Sequence, residues 1–259
     1  MCLILFAWKM HENFPLVLAA NRDEFYERPS APASFWEEEP GFLAGRDLKE
    51  GGTWLGITRT GRLAALTNYR DPAAIRSGAP SRGHLVSGYL RGHETPEAYL
   101  NRLAPEASLY NGFSLLLGDA SRLHCFSNRG GRSVLEAGIH GLSNRLLDTP
   151  WPKVEKGKSS LRALFDGEGE PAPEALLELL SDRSRPPDAL LPETGVGLEW
   201  ERILSPIFIE SPVYGTRSST VLMIDRSGCA TLVERIFNSG KGAPATSRFD
   251  FRIEPPPGK

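Results

Sequence analysis

Cys2-Leu3-Ile4-Leu5-Phe6-Ala7-Trp8 and Leu16-Val17-Leu18-Ala19-Ala20-Asn21-Arg22-Asp23-Glu24 are the stretch on which the fold turns. Two short apolar runs flank a polar turn at His11-Glu12-Asn13, with Asn13-Phe14-Pro15 as the turn signal. Runs of this length bounded by turn residues read as two buried strands, 2–8 and 16–20, that pair as a hairpin. The second strand then delivers four polar residues, Asn21 to Glu24, at its end. A strand end is where a rigid scaffold presents side chains to a site. It is also where solvated turns with weak surface ion pairs are common.

The first strand opens on Cys2, directly behind Met1. With Met1 removed, one residue carries both a thiol and a free α-amine. The amine can serve as base for its own thiol, which is how N-terminal nucleophiles work. Its reference pKa of roughly 7.7–8.0 suits proton exchange near neutrality. Taken alone, Cys2 reads equally as a small buried hydrophobe on an edge strand.

Composition narrows the classes. The chain has 259 residues, 40% hydrophobic and 24% charged, with a formal net charge of −2. That is a globular composition with ample core, and its overall charge does not select nucleic acid or anionic membrane. No basic run reads as a nucleic-acid arm. The three cysteines, Cys2, Cys125 and Cys229, form no CxxC or zinc pattern. A sparse, odd count fits a reducing compartment. No apolar run reaches the roughly 20 residues a bilayer demands. The expectation is a cytoplasmic protein with no integral membrane segment and no nucleic-acid partner. The five histidines have no metal spacing, and there is no P-loop, GxGxxG or GxSxG motif. No cofactor or metal is expected.

Further along, Trp54–Thr58 and Leu63–Thr67 read as a second hairpin turned at Thr60-Gly61, and Phe113–Leu117 and Leu123–Ser127 as a third. Helices are expected over 82–91, 96–103, 151–165 and 174–181, the third entered through Pro150 and Pro152, which a first helical turn tolerates. Val221–Ile224 and Thr231–Phe237 form a late hairpin. The stretch from Arg28 to Gly41 reads as a polar, proline-bearing loop, and 239–259 as a loosely held tail. Antiparallel hairpins with segregated helices give an α+β architecture, organised as a single domain over 1–259.

Three more polar segments adjoin buried strands: Leu66-Thr67-Asn68-Tyr69-Arg70-Asp71, Gly141-Leu142-Ser143-Asn144-Arg145 and Tyr214-Gly215-Thr216-Arg217-Ser218-Ser219-Thr220. An asparagine at a strand end can donate its amide to a developing oxyanion, or serve a turn. Small hydroxyls around Arg217 suit an anionic or carbonyl group, or are ordinary edge-strand residues.

Together, Cys2, Asn21-Arg22-Asp23-Glu24, Gly51-Gly52-Thr53-Trp54-Leu55-Gly56, Leu66 to Arg70, Gly141 to Asn144, Asp148-Thr149-Pro150-Trp151-Pro152-Lys153 and Gly215 to Ser218 resemble the NRDE family, also called the transport and Golgi organisation protein 2 family. The resemblance runs from residue 2 to about 237. It implies the N-terminal-nucleophile hydrolase fold, a four-layer αββα sandwich of two antiparallel sheets. Activities suggested for that family include hydrolase chemistry, acyl-CoA or lipid metabolism, haem trafficking and secretory-pathway organisation. A more distant similarity, to choloylglycine hydrolase and penicillin V acylase, implies site roles. Cys2 sulfur attacks a carbonyl, its α-amine carries the proton, Asp23 orients the amine, Asn68 and Asn144 hold the oxyanion, and Arg217 tunes the thiol or holds a carboxylate. Asn21, Arg22 and Ser218 are the expected substrate-binding residues. Those amidases have an arginine immediately before the Asn-x-Asp asparagine. Here that position is Ala20, and Arg22 lies inside the motif.

The expected function is cleavage of an amide, ester or thioester of a small molecule. The alternative on the same fold is a non-enzymatic carrier for haem or an acyl lipid or acyl-CoA. Cys125 and Cys229 are expected as buried free thiols, and Trp151 as a structural residue packing a helix start onto the sheet.

Overall fold

A computed structural model describes residues 2–166, 169–237 and 243–255. One sheet has six strands, β1 (Cys2–Trp8), β2 (Leu16–Phe25), β10 (Gly138–Leu142), β11 (Tyr214–Ile224), β12 (Cys229–Ile236) and β13 (Ala245–Arg252), in the order β10-β1-β2-β11-β12-β13. The other has seven strands in chain order: β3 (Ser30–Trp36), β4 (Glu39–Asp47), β5 (Leu55–Thr58), β6 (Leu63–Asn68), β7 (Phe113–Gly118), β8 (Leu123–Ser127) and β9 (Gly131–Val134). All the pairings are antiparallel.

Strand parity explains the layers. Side chains alternate across a strand. In β1, Ile4, Phe6 and Trp8 meet Leu16, Leu18, Ile57, Leu63 and Leu116 in the core between the sheets. Leu3, Leu5 and Ala7 face the opposite way, onto α3 (Pro152–Asp166) and α4 (Pro173–Leu179), through Val154, Leu161, Leu176 and Leu177. The second sheet is covered likewise: Ala64 and Leu66 of β6 pack on α1 (Gly83–Arg91) and α2 (Pro96–Leu103). Each sheet is thus apolar on both faces, which is why β1 reads as an unbroken apolar run. The result is the αββα sandwich.

The helix α3 approaches β1 and β10 closely because glycines leave room. A Cβ on Gly157 would meet Leu5 Cδ1 at 2.5 Å, and one on Gly141 would meet Val154 Cγ1 at 2.6 Å. This seating brings the N-terminal end of α3, with Lys153, against the sheet.

Several sequence expectations change. The Arg28–Gly41 loop is largely strand: β3 is an edge strand, where Pro32 is tolerated, and its register slips between Ala31 and Ser34. The tail is not loose over 245–252, where β13 pairs with β12 and Phe251 is buried. Residues 239–242 and 256–259 of the expected tail lie outside the described residues. Asn21–Glu24 lie within β2 rather than beyond it, because β11 pairs with β2 as far as Phe25. Tyr214–Thr220 are for the same reason part of β11. Cys125 is a buried free thiol and Cys229 a half-buried one, since Cys229 opens β12 beside a turn. A further helix, α5 (Leu198–Leu204), precedes β11. Among the described residues no helix is long and apolar enough to cross a membrane.

Candidate active site

Cys2 lies at one end of the sandwich. It pairs with Arg22 across β1 and β2, and its carbonyl accepts from Ser143 Oγ at 3.4 Å. The β1–β10 ladder pairs Ile4 with Leu142. Extending that register sets Asn144 opposite Cys2. A cleft of about 210 Å³ opens here, lined among others by Cys2, Arg22, Asp23, Trp54, Asn68 and Arg82. Burial pushes the Cys2 thiol up, and the Asp23 carboxylate adds to this, while Arg22 works against both. The thiol therefore keeps its proton near neutrality and needs a base to become a nucleophile.

Asp23 is fully buried, and burial raises its pKa. The charge that most opposes this is Lys153. Thr216 Oγ1 donates to Asp23 Oδ1 at 2.7 Å and itself accepts from the Ile209 amide at 2.9 Å. Lys153 is buried, donates from Nζ to the Leu204 carbonyl at 3.0 Å, and is brought down to about 8 by burial and the nearby Arg70 cation, against the pull of Asp23. A buried ion pair completes the cluster: Arg70 pairs with Glu201 at 2.6 Å, both buried, and its guanidinium stacks 4.8 Å from the Trp151 ring centre. Glu201 also accepts from the Thr194 amide at 2.9 Å.

The two asparagines differ. Asn68 ends β6 and lines the cleft. Asn144 is fully buried, donates from Nδ2 to the Asn68 carbonyl at 2.9 Å, and accepts from Arg70 NH2 at 3.4 Å. Asn144 thus braces Asn68 from behind.

Three expected residues are turned elsewhere. Asn21 faces the α3–α4 layer by parity with Leu3. It donates to the Leu180 and Ile207 carbonyls at 2.9 and 2.8 Å and accepts from Ser219 Oγ at 2.6 Å, a full set of internal partners that replaces the expected substrate contact. Arg217 sits at a bulge where the β11–β2 register shifts between Thr216 and Ser218. A bulge re-aims a side chain. Its NH1 donates to the Phe25, Tyr26 and Arg28 carbonyls at 2.9, 3.2 and 3.0 Å, fastening the segment after β2, and it does not line the cleft. Ser218 is buried against Glu234, whose carboxylate is raised by burial and accepts from the Ala33 amide at 2.5 Å. Arg22 does line the cleft, with its guanidinium 4.3 Å from the Trp54 ring centre.

Lys153, Arg70, Thr216, Glu201, Trp54 and Arg82 complete the constellation. Trp54, Arg70, Lys153 and Thr216 stand in the motifs quoted from the sequence but have no role assigned there, whereas Glu201 and Arg82 lie outside them; Lys153, Gly157 and Leu161 also recur at helical spacing on a buried face. Among the described residues, no group of three or more His, Cys, Asp or Glu side chains could hold a metal ion.

The family model described as Transport and Golgi organisation 2 matches residues 1–239. The Transport and Golgi organization protein 2 homolog of Bos taurus is 39% identical over 98% of this chain and 100% of its own length. The Homo sapiens homolog is 37% identical over 91% of this chain and 92% of its own, and the Drosophila melanogaster protein 30% identical over 90% and 91%. Among solved structures, the C2A mutant conjugated bile acid hydrolase of Clostridium perfringens superposes with a TM-score of 0.51 at 6% identity, covering 98% of each chain. The chain belongs to the Transport and Golgi organisation 2 family and carries the fold of the N-terminal-nucleophile hydrolases.

Proposed function

We propose that this chain is a cysteine N-terminal-nucleophile hydrolase that cleaves an amide, ester or thioester of a small molecule at Cys2. The observation that carries the reading is the shared cleft: Cys2, Asp23 and Asn68, from three strands of two sheets, line one opening, with Asn144 behind Asn68. The cleft volume of about 210 Å³ suits the acyl portion of a small compound. Once Met1 is removed, the Cys2 amine takes the thiol proton and the sulfur attacks the carbonyl carbon. Negative charge moves to the carbonyl oxygen, where the Asn68 amide donates to it. Collapse expels the leaving amine, alcohol or thiol, which receives the proton from the α-ammonium. Water, deprotonated by the amine, then attacks the thioester and releases the acid and the Cys2 thiol. Asp23 holds the α-ammonium, and Thr216 and Lys153 favour its ionised form against the effect of burial. Asn144 acts by positioning Asn68, and Arg22 takes the place expected for Arg217 beside the thiol.

The test compares hydrolysis of an amide, ester and acyl-CoA panel by protein with a free Cys2 amine, by a variant with a residue inserted before Cys2, and by Cys2→Ala. Hydrolysis only by the first form is expected. Equal turnover by Cys2→Ala removes the reading. Tight binding of haem or an acyl lipid by all three forms without turnover favours the carrier.

A further inference from the structure

The cleft beside Cys2 contains cations whose partners are incomplete. Arg22 is only 6% exposed, yet its direct contacts are the Trp54 face at 4.3 Å and Ser30 Oγ at 3.4 Å. Arg82, half-buried before α1, donates from NH1 to the Gly112 carbonyl at 2.9 Å. Among the described residues neither forms a close ion pair: the Glu234 and Asp47 carboxylates act on Arg22, and Glu24 on Arg82, without direct contact. Arg28, the third arginine of the lining, differs: Asp47 lies 2.5 Å from it and Glu24 4.0 Å. A guanidinium held out of water with its carboxylates at a distance is only partly compensated, and a ligand oxyanion in direct contact reduces that cost.

The lining is not positive overall, since Asp23, Glu24, Asp47 and Glu50 also contribute to it. Most of these are engaged: Asp23 by Thr216, Glu24 by the Phe25 amide, and Asp47 by Arg28 and the Lys49 amide. Glu50 is exposed at the rim. Selection here comes from directed guanidinium donors, not from a long-range field. The backbone fixes where those donors stand. Gly52 meets the chain at Gly83 so closely that a Cβ would lie 2.6 Å from the Gly83 carbonyl carbon, which seats the start of α1, and Arg82 with it, against the segment that leads through Trp54 into β5.

We infer that the compound acted on at Cys2 carries an oxyanion, carboxylate or phosphate, that Arg22 and Arg82 bind while its carbonyl lies at the Cys2 sulfur. The inference rests on the hydrolase reading of Cys2 but is tested without turnover. Iodoacetate and iodoacetamide alkylate thiols by the same displacement, the sulfur–carbon bond forming as iodide leaves, and differ by a carboxylate. The ratio of their rates at Cys2, read by peptide mass mapping, is expected to exceed the ratio on free cysteine by about tenfold, the effect of one hydrogen bond to a charged group. Arg82→Gln should return it to the free-cysteine value, and Arg82→Lys should retain part of the gain. Inorganic phosphate and succinate, tested separately against neutral succinamide on the wild-type chain, should slow iodoacetamide at Cys2, and the stronger of the two names the oxyanion. Should Arg82→Gln fail to fold, this protection decides. A free-cysteine ratio together with no protection by either anion overturns the inference. A chain that hydrolyses nothing yet shows the selectivity loses the hydrolase reading and keeps this one.

Discussion

Thr216 Oγ1 donates to Asp23 Oδ1 at 2.7 Å across the β2–β11 ladder, joining residues 193 positions apart. Burial raises the Asp23 pKa and this bond lowers it. A carboxylate with a raised folded pKa contributes stability that is full below its unfolded value and is lost as pH rises through the folded one. Removing a bond to the ionised form should deepen that loss. Thr216→Val is expected to cost about 1.5–3 kcal/mol at neutral pH, and the difference from wild type should shrink as pH falls toward the ordinary value of 3.8. Urea unfolding across that range measures it; a pH-independent difference would detach Thr216 from Asp23.

Asn21 ties β2 to the helix layer through the Leu180 and Ile207 carbonyls. Asn21→Ala should destabilise the fold by about 1–3 kcal/mol for the buried acceptors left behind. Alkylation of Cys2 should keep its rate. A stable variant with altered ligand affinity would return Asn21 to the substrate.

The Arg70–Glu201 pair is buried on both sides, at 4% side-chain exposure each. Removing one member of a buried pair costs about 3–5 kcal/mol, because the other charge stays in a poor dielectric. Glu201→Ala should show a loss of that size in chemical denaturation. A loss below about 1 kcal/mol, as for surface pairs, would mean that water reaches Arg70.

His140 Nδ1 lies 2.7 Å from Asp148 Oδ2, and this hydrogen bond holds the imidazole above its ordinary 6.5. Here a raised pKa belongs to a base. The stabilisation is complete below 6.5 and is lost as pH rises through the folded value. Asp148→Asn should flatten the stability profile over that window. An unchanged slope would assign the pH dependence to another group.

Much of this was legible in the chain. The apolar runs at 2–8 and 16–20 announce the β1–β2 hairpin because both faces of that sheet are covered. Cys2 and Asp23 stand at the ends of those runs and Asn68 at the end of the run over 63–67, which singles them out, while their roles are implied by the resemblance. Edge strands hid themselves: β3 buries little beyond Ala33 and Trp36 and carries Pro32, so it reads as loop. The aim of Arg217 depended on a bulge that leaves no mark in composition. Asn144 and Asn68 carry the same side chain, and only the fold reveals that one donates to the backbone of the other.

The central claim is that Cys2 becomes acylated. Protein with a free Cys2 amine, mixed with thioester and activated amide substrates, quenched in acid and measured as intact protein and as peptides, reads this directly. The account predicts a mass gain equal to the acyl group, located on Cys2, decaying to the free thiol as product forms and absent from Cys2→Ala. Turnover that proceeds with no acyl group on Cys2, or tight binding of those compounds with neither adduct nor product, would contradict it.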